Sequence, residues 1–427
     1  MTEKSSREFS DCRETRQVHQ SALADPRFRR YYPASWFSSL GAWLLRFLLG
    51  WSAWELTHSA TWVGIVGALM LAPALVLSPW FGILSDRVNP RHGLQGSLSV
   101  HALIALVGLG TTHLGWYDRS ILACLATALG VVTSLHSPMR LALIPLLVPK
   151  AALPSAVGYS AMSFNTARIL GPALGAALVA QVSVSAAWAL AVCMFAGAFW
   201  GLSRLRDIGQ ASPPSGESFR QQLLAGLRYL ALHADLKLLL ALTALNGLLG
   251  RTVVELLPAV SGKLLGGGST ELAVLVAMAG AGSVVGGLLV SRQTARLGRL
   301  LLLVVISIFI GCLSLLSLRW LSGLWAVGVW VSVLSVVTTV AGTGCQTMIQ
   351  LSVEGAFRGR IMSLWTVLAM GAPALGAAIL GWGVDAFGFF PVLTTTASVG
   401  GALLALLYTR REVLLDPPES TETSDSR

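Results

Sequence analysis

Long stretches with almost no charged residues recur along the chain, and they constrain its fold more than any other feature. About twelve such stretches, each of roughly 20 residues or more, are separated by short polar segments. A helix of about 20 apolar residues crosses the hydrocarbon core of a bilayer and satisfies its backbone hydrogen bonds internally. Only 12% of the residues are charged, and the 44 glycines suit close helix packing. The sequence therefore predicts an all-α polytopic membrane protein.

The predicted spans form two sets of six. They lie near 36–56, 62–85, 93–113, 120–148, 152–180, 184–203, 236–260, 271–291, 300–318, 322–350, 361–383 and 389–409. The polar stretch between the sets contains a proline and serine run at 212–216, which is typical of a linker. We predict an N-terminal arm at 1–33, a six-helix half at 34–203, a linker at 204–235, a second half at 236–409 and a tail at 410–427.

Positive residues collect on one side of the predicted membrane. The other side receives little beyond Arg119, Lys263 and Arg319. In membrane proteins the cytosolic loops carry the excess of Lys and Arg. We therefore expect a bacterial inner membrane protein with both termini and the linker in the cytosol. The same pattern explains the net charge of +10 better than nucleic-acid binding does. The crowded side holds Arg29, Arg30, Arg87, Arg91, Lys150, Arg204, Arg206, Arg292, Arg296, Arg299, Arg358, Arg360, Arg410 and Arg411.

The two halves repeat each other in sequence. The segment Gly-Pro-Ala-Leu-Gly-Ala-Ala at 171–177 in the fifth span recurs as Ala-Pro-Ala-Leu-Gly-Ala-Ala at 372–378 in the eleventh. Residues 82–87 align with 287–292, each at the end of the second span of its half. Two similar halves in the same topology indicate a parallel repeat, and such repeats place a substrate path between the halves.

These motifs resemble those of the major facilitator superfamily. The residues Gly82, Leu84, Asp86, Arg87 and Arg91 match its loop motif between the second and third helices. The spacing Gly171-Pro172-x-x-Gly175 is similar to the fifth-helix motif of its drug:proton antiporters. The segments 54–57, 168–174 and 358–364 resemble the bacterial branch that contains the enterobactin exporter. The resemblance covers residues 27 to 409 and implies the major facilitator fold, with about twelve helices in two pseudo-symmetric halves.

Two positions depart from the pattern of that branch. Ala42 stands where an acidic residue is common in the first helix, and Ser291 replaces the loop aspartate in the second half. The usual first-helix proton carrier is therefore not transferred to this chain. The resemblance implies that Asp86 holds the halves together at the cytosolic face, opposite Arg140. The alternative is that Asp86 caps a helix or follows the charge topology.

Charges within the spans are the main candidates for function because they are costly in a membrane. In the fifth span, Asn165, Arg168, Pro172 and Gly175 fall on one face, which we expect to look toward the bundle. Arg251 and Glu255, four residues apart, form either a structural or a functional ion pair. By resemblance the first, fourth, seventh and tenth helices line the cavity. Arg46 is thus a candidate ligand for an anionic substrate, with packing as the alternative.

Polar stripes on the fourth and tenth spans give the remaining candidates. His136 and Arg140 share one face of the fourth span. Such stripes either line a wet cavity or join helices by hydrogen bonds, and the equivalent places of these two spans in the repeat favour the cavity. His101 is expected to pack. The stripe on the tenth span consists of Thr339, Thr343, Gln346 and Gln350.

The sequence predicts a transporter rather than an enzyme. No phosphate-binding Gly-Lys-Ser/Thr loop, zinc-protease motif or catalytic triad spacing is present, and no cofactor or metal is expected. We expect a monomer in the lipid bilayer that exports a small amphipathic or anionic molecule, of siderophore or drug type, by alternating access. By family analogy, protons are the coupling ion, with Glu255 the preferred carrier. Uptake, and a membrane sensor or assembly protein without transport, are the alternatives.

Overall fold

The computed structural model describes residues 21–205, 219–292, 297–354 and 357–409. These residues form helices, and no strand occurs among them. The long helices are α1 (Pro26–Thr57), α2 (Ala60–Arg87), α3 (Pro90–His113), α4 (Arg119–Leu147), α5 (Leu153–Gln181), α6 (Val184–Ser203), α7 (Phe219–Leu232), α8 (Ala234–Asn246), α9 (Ser269–Ser291), α10 (Leu297–Ser317), α11 (Leu324–Ser352), α12 (Arg358–Phe387) and α13 (Phe389–Tyr408). Short helical pieces between 247 and 264 continue α8.

The all-α membrane fold is confirmed. Eleven of the twelve predicted spans each fall on one long helix, and the seventh, near 236–260, falls on α8 and the short helical pieces that follow it. In the described part of the chain, ten helices are long and apolar enough to cross a membrane. The two predicted spans outside this set are α1 and α5, whose sequences are richer in polar residues. Helix α7 lies within the predicted linker. There Tyr229 stacks on Phe357, with ring centroids 4.4 Å apart.

The helices group into two compact units. The first comprises Met1–Leu49 and Val76–Ser215, and the second comprises Gly50–Leu75 and Gly216–Arg427. The end of α1 and most of α2 therefore belong with the C-terminal helices. The domain boundaries drawn from the sequence, at 203 and 236, stay a prediction.

Packing inside each unit follows the internal repeat. In the first unit α3 packs on α4 and α6, and in the second α10 packs on α11 and α13, which occupy the equivalent places. Gly175 of α5 lies so close to α1 that an added Cβ would stand 2.7 Å from the Leu44 and Phe47 side chains. Its repeat counterpart, Gly376 of α12, lies equally tightly against Thr252 in the continuation of α8. The fifth span thus packs on the first as the eleventh packs on the seventh.

Local sequence signals explain where several helices begin. The Asn89 side chain accepts a hydrogen bond from the Arg91 N–H, and Pro90 occupies the first turn of α3. Asp118 caps α4 by accepting from the Ile121 N–H at 2.8 Å. Ser183 caps α6 through the Ala186 N–H at 3.1 Å. Each cap satisfies a backbone N–H that has no partner inside its own helix.

The seventh span is not a regular α-helix. After α8 the chain forms π-helical turns at Gly247–Arg251 and Val260–Leu264, with short α-helical pieces between them. Wide turns of this kind interrupt helices mostly as single turns and often occur at functional sites. Gly250 lies directly against Thr338 of α11, where no side chain would fit. The first π-helical turn therefore packs closely against α11.

Candidate functional site

Two arginines approach the same tryptophan in the first unit. The guanidinium carbon Cζ of Arg46 lies 5.8 Å from the centre of the Trp43 ring, and Cζ of Arg168 lies 5.6 Å from it. Trp43 and Arg46 are three residues apart on α1, so they share a face of that helix. Arg168 comes from α5. The two arginines thus converge from different helices on one aromatic ring, at distances typical of cation–π contacts.

A second aromatic ring extends this group to α4. The rings of Trp43 and Phe164 meet edge to face, with centroids 5.6 Å apart. Cζ of Arg140, from α4, lies 5.6 Å from the Phe164 ring centre. We call Trp43, Arg46, Arg140, Phe164 and Arg168 the arginine–aromatic cluster.

The close approach of α5 to α1 depends on a residue of the fifth-helix motif. An added Cβ on Gly171 would stand 2.8 Å from Trp43 Cβ and 3.1 Å from the Leu40 carbonyl oxygen. Arg168 lies three residues before Gly171 and therefore on the same face of α5. Gly171 and Gly175 pack against α1, and Pro172 is buried between them. The motif thus brings Arg168 to Trp43.

The charge of the cluster is positive by sequence. Neither 26–54 in the first span nor 119–181, which covers the fourth and fifth spans, contains an Asp or Glu. Three guanidinium groups therefore lie on helix segments that supply no carboxylate. Cationic side chains at membrane depth are costly, and they mark ligand sites when they cluster. The arrangement is suited to a ligand that combines negative charge with an aromatic or apolar body.

His136 and Arg140 line one small cavity of the first unit, and their predicted place in the substrate cavity stays a prediction. The cavity lies among α1, α3, α4 and α6 and has an empty volume of about 240 Å³ including its opening. Its polar lining consists of Tyr31, Ser35, Ser38, His136 and Arg140, and its remaining lining residues are apolar.

His136 is held by two serines. Its Nδ1 lies 2.7 Å from the Ser97 hydroxyl and its Nε2 lies 3.3 Å from the Ser38 hydroxyl. The Ser97 hydroxyl also lies 3.0 Å from the Leu94 carbonyl oxygen, to which it can only donate. Because one hydroxyl has one hydrogen, Ser97 accepts from Nδ1–H of His136. In the neutral ring Nε2 then accepts from Ser38, so the contacts fix a single tautomer.

His101 packs in the core beside this network, in keeping with the expectation from sequence. It is 2% exposed, and its Nδ1 donates to the Ser97 carbonyl oxygen at 2.8 Å. Its ring stacks on Phe195 with centroids 4.9 Å apart. His101 therefore orients the helix segment that carries Ser97.

The loop motif is only partly described. Gly82, Asp86 and Arg87 lie in the helical end of α2, but the side chains of Asp86 and Arg87 lie outside the described residues. The predicted contact between Asp86 and Arg140 stays a prediction. Arg91 is described: its Nη2 donates to the Ser203 carbonyl oxygen at 2.8 Å. This arginine satisfies a carbonyl at the end of α6, as cations commonly do at helix C-termini.

In the second unit, Arg251 and Glu255 form the ion pair that their spacing suggests. Arg251 Nε lies 3.7 Å from Glu255 Oε1, and the glutamate side chain is 7% exposed. Glu255 also lies under α2, because an added Cβ on Gly67 would stand 3.6 Å from its Cβ. The pair therefore lies where three helical segments meet.

The tenth-span stripe divides into two parts. Thr339 packs against α9, since an added Cβ on Gly286 would stand 3.0 Å from Thr339 Cβ. Thr343 and Gln346 are half-buried and Gln350 is exposed. Asn246 of α8 donates to the Thr338 carbonyl oxygen at 3.1 Å. Part of the polar stripe therefore joins neighbouring helices. A role of the stripe in a substrate cavity stays a prediction.

A carboxylate that was not singled out from the sequence is held by hydrogen bonds and an ion pair. Asp385, near the end of α12, accepts from the Ser59 and Thr61 hydroxyls at 2.6 and 2.7 Å. It also accepts from the backbone N–H groups of Ala60 and Thr61 at 3.0 and 2.8 Å. Lys263 Nζ lies 3.0 Å from its Oδ1. We call Ser59, Ala60, Thr61, Lys263 and Asp385 the Asp385 cluster.

One sequence signal for this cluster was available. Helix α2 has no acidic residue in its first turn, although its positive N-terminal dipole favours one. Asp385 supplies that charge from another helix. The residues that it caps lie 324 to 326 positions away in sequence, which no local pattern reveals.

The comparisons with known proteins agree with the architecture. A family profile described as transmembrane secretion effector matches residues 19–425. The chain belongs to this family of the major facilitator superfamily. The protein is therefore a multi-pass membrane transporter, not an enzyme.

Among curated relatives are two transporters with siderophore names. The staphyloferrin A transporter of Staphylococcus aureus (strain NCTC 8325 / PS 47) is 23% identical over 84% of this chain and 89% of its own length. The enterobactin exporter EntS of Shigella boydii serotype 18 is 28% identical over 94% of this chain and 96% of its own length.

Solved structures share the fold at low sequence identity. The nucleoside transporter NupG has a TM-score of 0.69 and 11% identity, over 90% of this chain and 98% of its own. A POT family transporter in complex with 5-aminolevulinic acid has a TM-score of 0.69 and 14% identity, over 92% of this chain and 100% of its own. These similarities confirm the major facilitator fold.

Proposed function

We propose that this transporter exports a small anionic molecule with an apolar or aromatic body, of the siderophore class, by proton-coupled alternating access. The arginine–aromatic cluster carries the proposal, because it places three guanidinium groups over two aromatic rings. The names of the staphyloferrin A transporter and of the enterobactin exporter support the class of substrate, and the name of the enterobactin exporter supports the direction.

The cluster matches such a ligand in two respects. Guanidinium groups bind carboxylate and catecholate oxygens through charge-assisted hydrogen bonds. The Trp43 and Phe164 rings offer apolar surface beside those charges, and Phe164 is 40% exposed. In this proposal Arg46 and Arg168 contact the anionic groups, and Trp43 packs against the body of the molecule.

Proton coupling is proposed to run through Glu255. A carboxylate paired with Arg251 stays ionised, and it gains a proton when that pair opens. Since the first span carries Ala42 in place of an acid, the mostly buried Glu255 is the intramembrane carboxylate that can take this role. We further propose that the protein resides in the inner membrane with both termini in the cytosol, as the arginine distribution predicts.

Transport in proteoliposomes tests the substrate class. Purified protein is reconstituted with an imposed pH gradient, and flux of a catecholate siderophore, a citrate-type siderophore and a cationic dye is followed. We expect saturable flux of the anionic compounds that stops when the gradient is collapsed. Saturable flux of the cationic dye alone would overturn the substrate class, and anion flux indifferent to the gradient would overturn the coupling.

Variants of the cluster locate the binding site. Arg46→Gln and Arg168→Gln should each raise KM at least about tenfold, because each removes a charged hydrogen bond of about 1.5–3 kcal/mol. Arg319→Gln, at an exposed position outside the cluster, is the matched control and should leave KM unchanged. An unchanged KM in both cluster variants would place the substrate elsewhere.

A further inference from the structure

Residues 50–75 form a helical hairpin that belongs to the second unit, although they lie in the first half of the sequence. The hairpin consists of the end of α1, a short turn and the start of α2. On α2, Gly64 lies directly against the Ala377 carbonyl oxygen of α12, where no side chain would fit. On α12, Gly381 lies in the same way against the Ala60 carbonyl oxygen. At these two points the hairpin packs on α12 through its backbone, without interlocking side chains.

The Asp385 cluster lies at one end of this contact. Asp385 follows Gly381 by four residues, so both lie on the face of α12 that meets α2. Its carboxylate binds hydroxyl and backbone N–H groups at the start of α2. Lys263 Nζ lies 3.0 Å from the same carboxylate and 3.3 Å from the Val384 carbonyl oxygen. One carboxylate thus joins three helical segments, at the end of the bundle that the arginine distribution predicts to be non-cytosolic.

Water reaches the Asp385 cluster. The Lys263 and Asp385 side chains are 37% and 26% exposed. If α2 and α12 separate at this end, water can therefore replace the hydrogen bonds that are lost. The net cost of breaking such bonds is modest, whereas buried groups that stay unpaired would cost far more. The cluster is thus suited to repeated opening and closing.

The carboxylate has no counterpart in the first half, although the motif that precedes it is repeated. Asp385 and Val184 are each the thirteenth residue after the start of the repeated segment, at 372 and at 171. The valine side chain accepts no hydrogen bond, so the repeat itself does not require an acceptor at this position. The Asp385 cluster is therefore a feature of the contact between α2 and α12 alone.

We propose that the Asp385 cluster is a latch, a set of bonds that holds the hairpin on α12 and so keeps the non-cytosolic end of the transport path closed. The proposal rests on the alternating-access part of the proposed function. When the path opens to the non-cytosolic side, the hairpin moves away from α12, and the bonds from Asp385 to α2 break together. The structure described above, in which these bonds are formed, is the latched state.

Distances between spin labels on the purified full-length protein test the proposal. The five native cysteines are replaced, and labels are attached through Glu55→Cys on the hairpin and Thr270→Cys at the start of α9, both at exposed positions. Double electron–electron resonance then gives the distance distribution in detergent, without substrate or pH gradient. We expect one main population in the labelled parent protein. Asp385→Ala should raise the ratio of a longer-distance population to the main one at least about tenfold, since a hydrogen bond to a charged group is worth roughly that factor.

Two further variants separate a latch from a simple helix cap. Thr61→Val keeps the side-chain volume and the backbone N–H bond to Asp385, and it removes only the hydroxyl bond. It should raise the longer-distance population several-fold, and it carries the test if Asp385→Ala does not fold. Asp118→Ala is the matched control, because Asp118 caps a helix of the first unit from the residue that precedes it. Its distance distribution should equal that of the labelled parent.

Two outcomes would overturn the proposal. Folded Asp385→Ala and Thr61→Val proteins with the parent distribution would show that Asp385 only caps α2. An equal shift in Asp118→Ala would show a general loss of stability and not a specific release of the hairpin. Because the labels report position and not transport, an absence of siderophore flux leaves this test intact, and an unchanged distance distribution leaves the proposed substrate class intact.

Discussion

The Asp385 cluster and the cavity around Arg140 differ in how fully the protein satisfies the hydrogen-bonding groups of a charged side chain. Asp385 accepts four hydrogen bonds from Ser59, Ala60 and Thr61 at the start of α2 and forms an ion pair with Lys263. Arg140 lies beside a cavity with a buried Nε that finds no partner in the described part of the chain. A charge with all of its partners inside the protein stabilises one structure. A charge with vacant hydrogen-bonding capacity is available to a ligand.

The comparison predicts that removal of Asp385 has the largest effect on stability. Asp385→Ala leaves the start of α2 without its acceptor and should lower the free energy of unfolding by about 2–3 kcal/mol. The expected loss is smaller than the sum of the separate contacts because the aspartate side chain is partly exposed to solvent. Chemical unfolding in detergent, followed by tryptophan fluorescence, measures it. Asp118→Ala removes a single capping bond and serves as the control, with an expected loss of about 1 kcal/mol. Equal losses in the two variants would contradict the comparison.

Removal of the cation in the Asp385 cluster should matter less. Lys263→Met leaves the four hydrogen bonds of the aspartate in place and removes an ion pair whose lysine side chain is 37% exposed. We expect the free energy of unfolding to fall by about 1 kcal/mol or less. This loss should become smaller in high salt, because salt screens exposed ion pairs. The measurement is unfolding at low and high ionic strength. A loss as large as that of Asp385→Ala would make the lysine the main partner.

Two serines of the cavity can be compared directly, and we expect their replacement to affect stability less than the loss of Asp385. Ser38 hydrogen-bonds to His136, whereas the Ser35 hydroxyl lies beside the Tyr31 side chain and makes no well-aligned hydrogen bond among the described residues. Ser38→Ala should cost about 0.5–1 kcal/mol, and Ser35→Ala should cost less than Ser38→Ala. Thermal unfolding of both variants side by side checks the order. The reverse order would show that Ser35 is satisfied.

The smallest change is expected for Arg140 itself. Arg140→Met removes an interaction with Phe164 worth about 0.5–1 kcal/mol, but it also removes a buried unsatisfied nitrogen of similar cost. The free energy of unfolding should stay within about 0.5 kcal/mol of the wild type. Chemical unfolding in detergent measures it. A loss as large as that of Asp385→Ala would show that Arg140 is part of a satisfied network.

Much of the fold could be predicted because apolar length and repeated motifs are local in sequence. The apolar spans, the bundle-facing side of the Gly-Pro-x-x-Gly motif and the shared face of His136 and Arg140 each depend on residues within a few turns of one another. The spacing of Arg251 and Glu255 likewise predicted their ion pair.

The clusters themselves could not be predicted in the same way. The convergence of Arg46 and Arg168 on Trp43 depends on how α1 and α5 are rotated about their axes, which periodicity leaves open. The Asp385 cluster joins residues more than 320 positions apart. In addition, an aspartate at the end of an apolar span resembles any interfacial charge until its partners are known.

The π-helical turns of the seventh span affect which changes in length this chain can tolerate during evolution. Each such turn closes with one residue more than an α-helical turn. Loss of one residue within Gly247–Arg251 can therefore convert the wide turn into a normal one, with both ends of the span held in place. The same loss inside the regular α9 would rotate every later side chain by about 100°. The seventh span thus tolerates single-residue deletions at positions where its neighbours accept only substitutions.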